Sequence, residues 1–370
     1  MKIAIIGSFY TKIPLKESVI HTPLMLTYNL AIQLSKMGHD ITYFGRVDDR
    51  EKMKNSKLKY NDLFYVGATD QIRKATSSAV WQNFKIIYEQ SHVAEVLKMK
   101  DFDIFYTWEG FLAGPLAKLT DKLVILTHHD STSMKAYNMI FNSFKGDNIF
   151  LIPISKYMKK IMTFPGTRTL GVVHHGIKIQ ESIQTITPED SFCWVGRVTP
   201  SKGLHTAIRV AQRAGEKLKI IGPMKDSFAD SGNVENYNRI IKREISQSDD
   251  IRYLGTMTQA QTRKEIATSK GLIFPLEGTE SFALIVIEAI TAGVPVIATN
   301  KEPLNEIIDH GKTGFLCNTI EEMSEAVRGI SSIDRKICRE IGKTRFSLKT
   351  MAKGYEREFR KALQMFGGRA

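Results

Sequence analysis

The sequence predicts an α/β chain built from two Rossmann-like, doubly wound parallel-sheet domains, and three observations carry that prediction. Short apolar runs alternate with amphipathic segments from end to end, the pattern of βαβ units whose helices cover both faces of a sheet. The pattern breaks off once, in a polar, turn-rich stretch, and then restarts. The 370 residues, 42% apolar and 25% charged, suit two or three soluble domains of roughly 100–200 residues each. A chain of this size buries most of the surface its unfolded form exposes, so it needs no metal or disulfide to fold.

In chain order, strands are predicted at 2–6, 40–44, 104–107, 123–127 and 149–154, apolar runs too short for helices. The opening run stops at Gly7, short of the roughly 7–15 apolar residues a secretory signal needs, so it reads as a strand. Residues 24–37 carry apolar side chains at helical spacing and end at Gly38, a helix terminator. The second set of strands is predicted at 192–195, 218–221, 251–254, 271–275 and 294–298. Met351, Tyr355, Phe359 and Leu363, four apart among Lys, Arg and Glu, predict a terminal amphipathic helix over 347–364. The expected organisation is a first domain 1–173, a linker 174–190, a second domain 191–346, and a terminal segment 347–370.

Cys193, Cys317 and Cys338 are far apart, with neither a CxxC pair nor a His at ligand spacing, so no zinc site or disulfide framework is signalled. A reducing cytoplasm is the expected setting. About 18 uncharged apolar residues never run together, so no transmembrane helix is expected. Net charge is +13, of which roughly +8 falls in residues 1–170, and such a balance favours anionic partners. Lys52, Lys54, Lys57 and Lys59 share one polar stretch and allow peripheral contact with an acidic membrane surface, or are simply solvated. No zinc-finger or RNA-recognition signature accompanies the charge, so nucleic acid is not an expected partner.

The most informative segment runs from Phe274 to Ala298 and reads strand, Gly-bearing loop, helix, Gly, strand. Residues 282–290 are apolar except at Glu288, which predicts a helix buried on every side. A lone carboxylate there is costly unless something hydrogen-bonds to it. Two sources are open: an Arg or Lys elsewhere in the core, or a sugar or ribose diol at the C-terminal edge of the sheet. The N–H groups of Phe282, Ala283 and Leu284 open this helix and suit a phosphate, with Glu280 beside the group the phosphate carries. In Gly196-Arg197-Val198-Thr199-Pro200-Ser201-Lys202-Gly203, Arg197 follows a strand and Lys202 comes five residues later. The two cations suit one phosphate group, or a solvated turn. Thr127-His128-His129-Asp130 ends another strand, where α/β sites collect, and His129 is the candidate there.

Other matches fail on spacing. Gly311-Lys312-Thr313 lacks the earlier glycine of a P-loop, since position 306 is Glu306. The first strand runs into Gly7-Ser8-Phe9-Tyr10, with no G-x-G-x-x-G for a nicotinamide or flavin. Asp101-Phe102-Asp103 precedes a strand and reads as a solvated loop.

Together the segments resemble the retaining, nucleotide-sugar-dependent glycosyltransferases of family 4, which have the GT-B fold. The E-x(7)-E element is Glu280 and Glu288, and the phosphate element is Arg197 and Lys202. The likeness extends to Gly38-His39-Asp40, to the tetrad ending in His129 and Asp130, to Ile154-Ser155, to His175-Gly176-Ile177 and to Leu254-Gly255-Thr256. It implies two domains facing across a cleft, with the last helix crossing back to the first, acceptor-binding domain. It also implies a UDP- or GDP-sugar donor held by Arg197 and Lys202 at the diphosphate and by Glu288 at the ribose. Glu280 and the amides of Phe282, Ala283 and Leu284 would hold the sugar and β-phosphate, Gly222, Thr256 and Met257 would meet the base, and His129 would stand near the reacting carbon. A glycan, glycolipid or small-molecule hydroxyl would be the acceptor, and no metal or other cofactor is expected. Family members commonly carry a Gly-Gly loop where this chain has residues 13–24, read here as an acceptor lip. An epimerase or phosphorylase on the same fold, and a basic nucleic-acid-binding protein, are the alternatives. A phosphorylase would need a pyridoxal-binding lysine that the sequence does not single out.

Overall fold

The structure is a computed structural model describing all residues except 16–20, 62–76, 109, 131–138, 140–145, 163, 165–166, 180–188, 225–230 and 368–370. The chain divides into two compact units, Met1–His175 together with Leu348–Ala370, and Gly176–Ser347.

The first unit is built on a parallel sheet of β1 (Lys2–Ile6), β2 (Asp40–Phe44), β3 (Lys59–Asn61), β4 (Ile104–Thr107), β5 (Leu123–Leu126), β6 (Ile149–Leu151) and β7 (Arg168–Thr169). Their spatial order is β3-β2-β1-β4-β5-β6-β7. β1, β4 and β5 are almost wholly buried, as continuous apolar strands covered on both faces must be. The connecting helices are α1 (Thr22–Lys36), α2 (Asp49–Lys54), α3 (Ser78–Leu97), α4 (Gly110–Leu116) and α5 (Lys156–Ile161). Ser155, at the strand end noted in the sequence, caps α5 by accepting the Met158 N–H at 3.0 Å.

The second unit carries β8 (Phe192–Val195), β9 (Leu218–Ile221), β10 (Ile251–Gly255), β11 (Leu272–Phe274), β12 (Val296–Thr299) and β13 (Gly314–Cys317), in the order β10-β9-β8-β11-β12-β13. Its helices are α6 (Leu204–Ala214), α7 (Ser231–Ser246), α8 (Gln259–Thr268), α9 (Leu284–Thr291), α10 (Leu304–Ile307), α11 (Ile320–Arg328) and α12 (Arg335–Phe346). Trp194, Phe192, Ile208, Leu218 and Ile273 centre its core.

The last helix, α13 (Leu348–Gly367), belongs to the first unit. It buries Met351, Tyr355 and Phe359, and the Tyr355 hydroxyl lies 3.1 Å from Thr127 Oγ1. His39, from the Gly-His-Asp turn, meets Glu356 at 3.1 Å.

The three strands absent from the sequence prediction, β3, β7 and β13, are short, and β3 and β7 are polar. Strands predicted at 123–127 and 149–154 end at Leu126 and Leu151, although the N–H groups of Thr127 and Ile152 still donate to the neighbouring strands' ends. All three cysteines are free and buried. Much of the expected linker, residues 180–188, lies outside the described residues, as do residues 16–20 of the expected acceptor lip. Lys54 pairs with Glu51, Lys52 with Asp49 and Lys59 with Asp40, so three of the four clustered lysines face carboxylates.

Candidate functional site

In the second unit β8 and β11 are neighbours, with β9 and β10 on one side and β12 and β13 on the other. The strand order reverses there, the position at which open α/β sheets carry a ligand crevice outside the C-terminal ends of their strands. Both cation and carboxylate motifs are in the loops leaving those ends of β8 and β11. The loops are stitched together by their backbones: the N–H groups of Glu277 and Gly278 donate to the Ser201 carbonyl at 3.1 and 2.8 Å. So close an approach requires glycine. A Cβ on Gly203, which has φ +69°, would lie 1.8 Å from the Pro275 carbonyl oxygen, and one on Gly278 would lie 2.5 Å from Ser201 Cβ.

Two helices, α6 and α9, begin at this crevice, and their N-caps, Gly203 and Ala283, supply no side-chain hydrogen bond. By contrast α8, α11 and α12 are capped by Thr258, Thr319 and Asp334. First-turn N–H groups have no partner within their helix. At α6 the His205 N–H already donates to the Tyr237 hydroxyl at 3.1 Å, so it is the start of α9 that presents donors and partial positive charge where an anion would sit.

The structure brings Lys202 and Glu280 into direct contact as an ion pair. Glu280 also accepts its neighbour Ser281's N–H at 3.1 Å. Arg197 is exposed at the start of the same loop, whose path is fixed by the Val198 N–H donating to the Pro223 carbonyl at 3.0 Å. Glu277, which no motif singles out, accepts from Thr206 Oγ1 at 2.6 Å and pairs with His205 at 2.9 Å. Lys301 Nζ donates to its carbonyl at 2.6 Å.

Glu288 has the protein partner that was one of its two alternatives. Arg263, on α8, donates to its Oε1 through Nε at 3.2 Å and Nη2 at 3.0 Å. No periodicity or motif in the sequence singled out Arg263. The pair lines a small pocket with Ile177, Lys178, Ile266, Thr291, Ala292 and Arg339, to which Arg197, Lys202 and Glu280 do not contribute. Two expectations are corrected here. The helix starts at Leu284, leaving Phe282 and Ala283 in the loop, and it is not buried on every side, because Leu284, Ile285 and Glu288 keep partial exposure. The candidate base contacts Gly222, Thr256 and Met257 follow the C-terminal ends of β9 and β10. Gly222 packs tightly there: a Cβ would lie 1.8 Å from the Gly196 carbonyl oxygen.

In the first unit His129 follows β5, and its Nδ1 lies 3.2 Å from His175 Nε2, the rings stacked with centroids 4.9 Å apart. Burial, reinforced by His175, His128 and His21, holds its pKa well below the ordinary imidazole value. Burial likewise depresses His128 to about 4 and His175 to about 3. This is a neutral imidazole cluster at neutral pH, suited to hydrogen bonding rather than to carrying charge. Among the described residues, no group of three or more His, Cys, Asp or Glu could hold a metal ion.

Residues 177–345 match the family model described as glycosyl transferases group 1. The match covers nearly the whole of the second unit, Gly176–Ser347. A glycosyltransferase of Haemophilus influenzae, itself uncharacterised, is 24% identical over 330 residues, spanning 80% of this chain and 83% of its own. AviGT4, a glycosyltransferase involved in avilamycin A biosynthesis, superposes with TM-score 0.67 at 18% identity, covering 99% of this chain and 98% of its own. HepE of Anabaena, solved in complex with UDP-glucose, gives 0.66 at 14% identity over 98% and 100%. At such identities the structures establish the fold, which is GT-B. With the domain and its relatives, the chain is a glycosyltransferase enzyme.

Proposed function

We propose that this glycosyltransferase is a retaining member of family 4 that moves a sugar from a UDP- or GDP-sugar to a hydroxyl of a glycan, glycolipid or small molecule. The observation carrying this is the Lys202–Glu280 pair set beside the uncapped start of α9 at the β8/β11 reversal. HepE, on the same fold, binds UDP-glucose. Arg197, Lys202 and the amides around Leu284 hold the diphosphate, Glu280 the sugar, Glu288 the ribose, and Gly222, Thr256 and Met257 the base. His129 serves the reacting carbon.

The reaction breaks the bond between the anomeric carbon and the β-phosphate oxygen, leaving an oxocarbenium-like sugar and a diphosphate of growing negative charge. The acceptor oxygen attacks from the face the phosphate leaves, and its proton passes to that phosphate, which preserves configuration. Preorganised cations and helix N–H groups stabilise the leaving group, and the metal-independent reading rests on them. Loss of one such donor is worth roughly 3–4 kcal/mol of barrier, by analogy with oxyanion-hole deletions. No described helix is long and apolar enough to cross a membrane. We place the enzyme in the cytoplasm, with its acceptor free or at the inner membrane face.

The test is thermal unfolding with UDP, GDP, ADP and their sugar forms. A ligand at 100 times its Kd stabilises the fold by about 2.7 kcal/mol. Glu288→Ala should abolish most of the shift, whereas Glu280→Ala and His129→Ala should lower turnover more than nucleotide binding. Absence of any shift, or equal loss in all three variants, overturns the assignment.

A further inference from the structure

We propose that Arg263 is a positioning residue for nucleotide specificity: acting through Glu288, it sets the chain's preference for a ribose over a 2′-deoxyribose. The proposal rests on the donor-site reading above and adds to it a residue outside the recognised motifs.

Three features of the second unit carry it. First, both N–H donors of Arg263 converge on one oxygen of Glu288, at 3.0 and 3.2 Å. Two guanidinium donors on one oxygen pin that oxygen and restrict the side chain's rotamer. Among the described residues Oε2 has no donor, so the pair holds one carboxylate oxygen in place and leaves the other to receive hydroxyl protons. Second, the two side chains are only 19% and 13% exposed, so water competes weakly for the geometry. Third, the pair links the elements that flank the expected nucleoside. Arg263 is on α8, which follows the Thr256-Met257 loop at the end of β10, and Glu288 lies one helical turn beyond Leu284 at the start of α9. One turn of helix advances about 5–6 Å, so the fixed carboxylate stands about one nucleotide unit along the helix from its phosphate-facing end.

A vicinal ribose diol offers two hydroxyl donors to a carboxylate, and a 2′-deoxyribose offers one. A carboxylate already oriented gains the full benefit of the second bond, whereas a free one must first give up rotamer freedom. Arg263 therefore acts on ribose selection more than on total nucleotide affinity.

The test measures Kd for UDP, dUDP, GDP and dGDP by calorimetry on the full chain and on Arg263→Ala, Arg263→Lys and the double variant Arg263→Ala/Glu288→Gln. The wild type is expected to favour the ribo form of its nucleotide by about tenfold, one good hydrogen bond to a charged group. Arg263→Ala should lose about tenfold in affinity for the ribo form and under about threefold for the deoxy form. Arg263→Lys should recover part of the preference. In the Glu288→Gln background the Arg263→Ala change should add almost nothing, since both residues act through one contact. Ligand-free melting temperatures guard against misreading a folding defect. Equal loss for ribo and deoxy forms, or an undiminished preference, overturns the positioning role while leaving the donor site standing. Absence of binding by the wild type to all four probes overturns both.

Discussion

At the scale of single residues, burial makes a carboxylate depend on the donors it finds. Glu288 stood out because a carboxylate in an apolar helix must be satisfied. Arg263 did not, because one cation in a polar helix 25 residues away looks like any solvated arginine. The same holds for Glu89, an unremarkable residue of α3 that proves almost wholly buried. It accepts from Ser8 Oγ at 2.7 Å and from the N–H groups of Phe9 at 2.9 Å and Tyr10 at 3.3 Å, just beyond β1. Burial outweighs these bonds and pushes its pKa up to about 7. The sign follows from linkage. With its folded value above its unfolded one, Glu89 leaves stability intact below about pH 4.5 and costs stability as pH rises through about 7, by on the order of 3 kcal/mol when fully ionised. Chemical denaturation from pH 5 to 8 should show Glu89→Gln losing less stability with rising pH than the wild type does. Parallel pH profiles for the two proteins would sink this account.

At the scale of elements, strands and helices were legible where apolar patterning was strong. β1, β2, β4, β8 and β9 have the predicted bounds, each being a run rich in apolar residues and too short for a helix. β3 and β7, two or three polar residues each, gain their pairing from neighbours rather than from their own sequence. Glycines near the site were legible as turns, but their real constraint is contact. Gly203 must let the Pro275 carbonyl approach, which ties the cation loop to the carboxylate loop. Gly203→Ala combines a strained positive φ with a clash against backbone, which cannot swing aside as a side chain would. It should cost at least about 2 kcal/mol of stability. Because the same contact aligns Lys202 with Glu280, it should also weaken nucleotide binding, whereas Gly215→Ala, at a similar φ of +71° but with open space around its Cβ, should cost less and leave binding unchanged. Urea denaturation and nucleotide titration of both variants check this. Equal effects would show that strain alone, and not the loop contact, sets the requirement for glycine.

At the scale of the whole molecule, the two units differ in how the chain supplies them. The second unit is one continuous stretch, Gly176–Ser347, whereas the first takes its last helix from the far end of the sequence. The amphipathic pattern of that helix was visible in advance, but periodicity gives an apolar face without naming the surface it covers. The surface proves to be α1 and the sheet from β4 onward: Tyr355 meets Thr127 just beyond β5, Tyr355 and Phe359 pack on Tyr106 of β4, and Glu358 accepts the Gly171 N–H, just after β7, at 2.8 Å. Removing one buried Phe from a core costs about 3–5 kcal/mol. Losing Phe359 together with Tyr355 and Met351 therefore consumes most of a domain's usual margin of about 5–15 kcal/mol. A fragment of residues 1–175 should thus fail to unfold cooperatively on heating, and adding 348–370 in trans or through a short linker should restore the transition. The fragment 176–347 should melt cooperatively alone and retain the nucleotide-induced shift without any transferase activity, since the proposed catalytic His129 lies in the other unit. A cooperative transition in 1–175 alone would mean that α13 is an accessory to the first unit's core; loss of the nucleotide shift in a folded 176–347 would mean that the donor needs more than the second unit to bind.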